Sequence, residues 1–297
     1  MHKMFAFRKI SGKLLIWQNM EIVESKNDLK LKNLENIDLG QTFDCGRCFR
    51  WQKISKGYTG IFKKNTLTIA QNTNEITLKN TTISDFKKIW YKYLDLETDY
   101  KKIGEKIATL HPILKKSYDE CSGIRILNQE PWETLCSFII SQNNNIPRIK
   151  KIINSLCNLF GEKVNNSEIY SFPTYKVIAR LDTEKLAPIK SGFRAKYILD
   201  AAQKVDLGII NFEKIENMEY EEAKNTLMKI KGVGPKVADC VLLFGFHKLE
   251  AFPEDVWIKK VMNKFFKNES PKIFGKYAGV AQQYLYHYSR MHPQILE

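Results

Sequence analysis

The segment from residue 219 to residue 255 constrains this 297-residue chain more than any other stretch. Glu219 to Ile230 has helical spacing. Lys231-Gly232-Val233-Gly234-Pro235 interrupts it before a second, apolar helix that starts at Lys236. Two glycines give a tight turn the backbone freedom it needs, and Pro235 suits the first turn of the following helix. The spacing predicts two helices folded back on a short loop over about residues 219–246. That loop ends at a helix N-terminus, where unpaired N–H groups and the positive dipole end make a site for phosphate. Beyond it Pro253 breaks the chain, and Asp255 takes the N-cap position of a helix predicted over Val256 to Phe266.

The rest of the chain divides by period. Phe49 to Ile54, Thr66 to Ile69 and Glu75 to Leu78 alternate, and Gly57 and Gly60 punctuate them, so residues 29 to about 80 read as antiparallel strands with one wet face. From Ile83 onward the spacing turns helical, as at Phe86, Ile89, Trp90, Tyr93 and Leu94 and again at Ile103, Ile107 and Leu110. Residues 131–160 read as helices broken near Gln142-Asn143-Asn144-Asn145. The expected fold class is α+β: a β-rich N-terminal domain over residues 20–118 and a mainly helical domain over 119–297. Residues 1–19 are read as an N-terminal extension, either a disordered arm or a misassigned start ahead of Met20.

Lysine and arginine number 47 against 33 acids, a net charge of +14. That excess favours a polyanion, although a lysine-rich solvated surface gives the same count. No stretch approaches the roughly 20 apolar residues of a membrane helix. Leu14 to Trp17 is too short for a signal peptide, so no membrane partner and a cytoplasmic setting, nucleoid-associated in a bacterium, are expected. Six scattered cysteines suit reduced thiols. Cys45-Gly-Arg-Cys48 has metal-like spacing but lacks a second pair, and no metal is assigned.

The hairpin, Lys236 and Pro253-x-Asp255 together resemble the helix-hairpin-helix Gly/Pro-Asp superfamily of DNA glycosylases. Within it, residues 29 to 290 are most similar to the 8-oxoguanine DNA glycosylase/AP lyases. Gly46 to Trp51, Arg125-Ile126-Leu127, Ser137-Phe138-Ile139, Asn143 to Arg148, Gly192 to Tyr197, Gly232 to Cys240 and Tyr277 to Gln282 carry the resemblance in order. It implies a helical core of two subdomains and a monomer acting on double-stranded DNA that carries 8-oxoguanine opposite cytosine. It further implies Lys236 as the nucleophile at C1′ and Asp255 as the carboxylate that stabilises the sugar cation, with a Schiff base and β-elimination to follow.

The same resemblance assigns base recognition to the Gly46 carbonyl, to Gln282 at the Watson–Crick edge, to Tyr286 as the stacking ring, and to Cys240 as a thiolate paired with the Lys236 ammonium. Asn143, Arg148 and Arg194 would hold the opposite cytosine, with Phe193 as wedge. Gly232, Val233 and Gly234 would bind phosphate, directly or through a monovalent cation as in the family; no other cofactor is required. Each residue has a plainer reading. Asp255 is an N-cap in any case, Lys236 a surface or phosphate-contacting lysine, and Gly46 a turn. Gln282 would be a surface amide, Cys240 and Tyr286 core, and Phe193 a helix–helix contact. Trp257 stands where eukaryotic members carry a phosphate-contacting histidine, and Cys48 where a small hydroxyl residue is common. No cysteine follows Cys240, which argues against an iron–sulfur relative such as endonuclease III. The alkylpurine glycosylases lack the lysine. A catalytically idle DNA-binding module would have no need of Lys236 with Asp255.

Overall fold

The computed structural model describes residues 8–11, 14–17, 20–25, 27–73, 75–165, 167–267 and 269–297. Among the described residues, eight strands form one antiparallel sheet: β1 (Arg8–Ser11), β2 (Leu14–Trp17), β3 (Met20–Ser25), β4 (Asp28–Lys32), β5 (Trp51–Ile54), β6 (Gly57–Phe62), β7 (Asn65–Gln71) and β8 (Glu75–Lys79). Their spatial order is β1-β2-β3-β4-β8-β7-β6-β5. Register places Leu29 opposite Leu78, Leu78 opposite Ile69 and Ile69 opposite Tyr58, so one buried row crosses four strands. A slip of one residue would turn that row to water, which fixes the pairing.

Phe86, Trp90 and Tyr93, from the helical run over 83–93, and Leu94, which caps its end, cover the apolar face. Trp51 stacks on Phe43 with ring centroids 4.1 Å apart and donates its indole N–H to the Tyr93 hydroxyl at 2.6 Å.

Three features differ from the sequence reading. Leu39–Phe43, inside the stretch read as strands, is a helix, because Asp38 caps it by accepting from the Gln41 amide at 2.7 Å. In the extension expected over 1–19, β1 and β2 continue the sheet; residues 1–7, 12, 13, 18 and 19 lie outside the described residues. The boundary expected near residue 118 falls within a continuous core. Helices Tyr100–Ala108 and Pro112–Cys121 bury Tyr100, Ile103, Ile107, Ile113 and Leu114 in the helical core rather than against the sheet.

The helices form two groups. One comprises Tyr100–Ala108, Pro112–Cys121, Val256–Phe266 and Ala278–Met291. The other comprises Pro131–Ser141, Ile146–Phe160, Tyr175–Ala179, Arg194–Asp206, Tyr220–Leu227 and Pro235–Gly245. The first group therefore joins chain segments separated by more than a hundred residues.

Candidate active site

The predicted hairpin is present, with helices Tyr220–Leu227 and Pro235–Gly245 around the loop. Gly232 has φ +77°, and a Cβ there would lie 2.3 Å from the Tyr197 ring, so both backbone and space demand glycine. Val233 is buried beneath the loop. Gly234 is the N-cap of the second helix and brings no side-chain acceptor, whereas Asn145 and Asp255 cap their own helices with side chains. The N–H groups of this helix are thus left to an outside acceptor. Helix Arg194–Asp206 braces the loop: Asp200 accepts from the Lys231 amide at 2.8 Å, and Lys204 donates to the Lys229 carbonyl at 2.7 Å. Phe193 opens that helix, 50% exposed, touching Tyr197 edge-on at 5.8 Å. It is an exposed aromatic tip, not a helix–helix contact.

Lys236, in the first turn of its helix, places Nζ 5.6 Å from the centroid of the Phe138 ring. Cys240 lies one turn further on, fully buried. Burial pushes its thiol up, against the opposing pull of Lys236 and Arg47. Asp255 does cap Val256–Phe266, accepting from the Ile258 amide at 2.9 Å. Its other oxygen lies 3.6 Å from Nη2 of Arg47.

Arg47 is the site residue that sequence reasoning missed. Its guanidinium carbon stands 3.9 Å from the centroid of the Tyr286 ring and 6.0 Å from that of Phe244, and Cys240 is close enough to act on it electrostatically. A basic residue directly after a pocket glycine was the available signal. Gly46 itself has φ +76°, and a Cβ would meet Ile146 Cδ1 at 2.8 Å. Gln282 is fully buried; it donates to the Pro253 carbonyl at 2.9 Å and accepts from the Gln283 amide. The plainer reading of Gln282 as a surface amide is excluded, and its amide keeps one donor and one acceptor position for a ligand.

Asn143 sits in the loop between two helices with φ +50°, and Arg148 is exposed on the first turn after that loop. Arg194 departs from the free fork that was expected. It is buried and donates to the carbonyls of Gln142, Asn143 and Ser191, so it braces the loop. Trp257 is partly buried against the helical core. The Cys45 and Cys48 thiols donate to the carbonyls of Thr42 at 3.1 Å and Phe43 at 3.6 Å, and burial pushes both up, which makes them packing groups.

Residues 30–135 match the family profile described as 8-oxoguanine DNA glycosylase, N-terminal domain, and residues 136–274 that of the HhH-GPD superfamily base excision DNA repair protein. The N-glycosylase/DNA lyase of Saccharomyces cerevisiae is 32% identical over 270 residues, covering 81% of this chain and 71% of that protein. The structure of MBOgg1 in complex with a low-affinity DNA ligand superposes with a TM-score of 0.86 at 39% identity, over 92% of this chain and 99% of that one. The Clostridium acetobutylicum 8-oxoguanine glycosylase/lyase, in complex with double-stranded DNA containing cytosine opposite 8-oxoG, gives 0.85 at 38% identity, over 92% and 98%.

Proposed function

The chain belongs to the 8-oxoguanine DNA glycosylase/AP lyase family of the HhH-GPD superfamily, and from that premise we propose that it excises 8-oxoguanine from duplex DNA with Lys236 as nucleophile. It is a DNA N-glycosylase with lyase activity. The convergence of Cys240, Asp255 and Tyr286, from three separate helices, on one guanidinium, with Lys236 one turn from Cys240 and acting on its thiol, carries this reading.

A base inside the stack is out of reach, so the nucleotide is flipped into the pocket. The free amine of Lys236 attacks C1′, the bond from C1′ to N9 breaks, and the base leaves with its electrons and takes up a proton. Asp255 faces the positive charge that develops on the sugar. The sugar ring opens to a Schiff base on Nζ; loss of a C2′ proton then breaks the C3′–O bond and releases the 3′ phosphate. The uncapped helix at Gly234 offers its N–H groups to a backbone phosphate. A monovalent cation held by carbonyls of the hairpin loop would reinforce that phosphate contact.

For the base, the Gly46 carbonyl would accept from the N7–H that distinguishes 8-oxoguanine, and Gln282 would meet the Watson–Crick edge with its remaining donor and acceptor. Opposite the lesion, Arg148 would be the fork that reads cytosine, on the helical turn that follows a loop held in place by Arg194. Among the described residues no helix is long and apolar enough to cross a membrane. A monomer working where chromosomal DNA lies completes the proposal.

Borohydride reduction tests it. The wild type should become covalently linked to 8-oxoguanine duplex, and Lys236→Gln should bind that duplex without cutting or crosslinking. A fully active Lys236→Gln would overturn the mechanism.

A further inference from the structure

Arg47 takes no step in the chemistry above, yet its guanidinium stands among Asp255, Tyr286 and Phe244. It is buried, and its Nε and Nη2 make no hydrogen bond. Its guanidinium carbon stands 3.9 Å over the Tyr286 ring. Stacked aromatic rings prefer centroids about 4.5–7 Å apart, so a flat group at 3.9 Å fills the first layer above that face. A purine cannot share it. Its ion pair with Asp255, at 3.6 Å, sets a positive charge against the carboxylate that is to face the sugar cation.

We propose that Arg47 is a resident gate: its guanidinium holds the base-stacking place on Tyr286 and masks Asp255 until a flipped base displaces it. The proposal rests on the reading of Tyr286 as the stacking ring. Two features make the guanidinium displaceable rather than structural. Donors buried without partners are costly, so the resident position is incompletely compensated. The backbone, by contrast, is anchored, because the Arg47 carbonyl accepts from Gln129 Nε2 at 3.0 Å. Displacement is therefore a side-chain rotation. It couples two events, since the occupant that removes Arg47 from Tyr286 also exposes the Asp255 charge. An empty pocket keeps that carboxylate neutralised.

The test uses full-length protein in the Lys236→Gln background, which keeps duplexes intact. Affinity is measured for an 8-oxoguanine:cytosine duplex and for the same duplex with tetrahydrofuran in place of the lesion. Tetrahydrofuran has no base to compete with Arg47, so the ratio of the two affinities cancels general charge effects. Arg47→Met should raise that ratio roughly tenfold, as removing a competing resident state does. Arg47→Lys, which keeps the charge but cannot lie flat on the ring, should raise it in the same direction. The lysine variant serves as the measurement if the methionine variant does not fold. A ratio that falls would make Arg47 a direct ligand of the base, and an unchanged ratio would make it inert; either overturns the gate. A wild type that neither excises 8-oxoguanine nor crosslinks to its duplex under borohydride would overturn the base-excision reading, and the gate with it.

Discussion

Replacing Asp255 by asparagine separates its structural job from its chemical one. The carboxylate caps a helix through the Ile258 amide and pairs with Arg47. Asparagine caps a helix about as well as aspartate, so that part of the stability should persist. The pair with Arg47 is 3.6 Å long and Arg47 is buried, so losing the carboxylate charge leaves a buried cation unpaired, at up to about 3–5 kcal/mol. In a chain of this size each kcal/mol lowers Tm by roughly 2–4 °C. Alanine would also remove the cap, at about 1 kcal/mol more. The chemical loss is read separately: removing one charge-stabilising group from a transition state costs about 10²–10³ in rate. Single-turnover excision at saturating enzyme, set beside thermal melts, gives both numbers. Asparagine and alanine should be similarly slow while differing in Tm. An asparagine variant within about tenfold of wild type, or rates that follow Tm across the two variants, would refute the electrostatic role.

Excision should be faster opposite cytosine than opposite adenine by roughly tenfold or more, and Arg148→Met should shrink the gap; equal wild-type rates opposite all four bases would withdraw that reading. Phe193→Ala should change stability by no more than about 0.5 kcal/mol, as surface substitutions do, while weakening binding to an abasic duplex. A large drop in Tm would make Phe193 a packing residue instead. Burial pushes the carboxyl of Glu133 up to about 7. The folded state therefore favours its protonated form, and the stability it contributes is full below about 4.5 and lost as pH rises through about 7. Glu133→Gln should flatten the Tm profile over that window, and parallel profiles would show the carboxylate to be well hydrated.

The parts of this molecule that were legible in its sequence are those whose cause is local. The turn at Gly232 and Gly234, the cap at Asp255 and the alternation in β7 and β8 all follow from a few adjacent residues. Helix Leu39–Phe43 was missed because a single capping aspartate started it within a stretch of strands. Helical periodicity in residues 100–121 showed that one face is buried but not on what, and the partner proved to be a helix near the end of the chain. Arg194 and Gln282 were expected to have free donors; their partners, at Gln142, Asn143, Ser191 and Pro253, could be identified only from the folded chain. Arg47 was overlooked for the same reason: its neighbours lie some two hundred residues away in sequence.

Helix Arg194–Asp206 carries Phe193 at its tip and, through Tyr197, Asp200 and Lys204, grips the turn at Gly232 and Gly234. With Phe193 as the proposed wedge and that turn as the proposed handhold on phosphate, the two would be jaws of one calliper whose gap is set before any duplex arrives. A calliper with a fixed gap does not adapt; whatever it closes on must. The distortion then falls on the nucleic acid, where a smooth bend of a short site costs about 1–6 kcal/mol and less at pliable steps. The mechanical softness of a helix around a damaged nucleotide would then be part of what this protein senses, alongside the chemistry of the base.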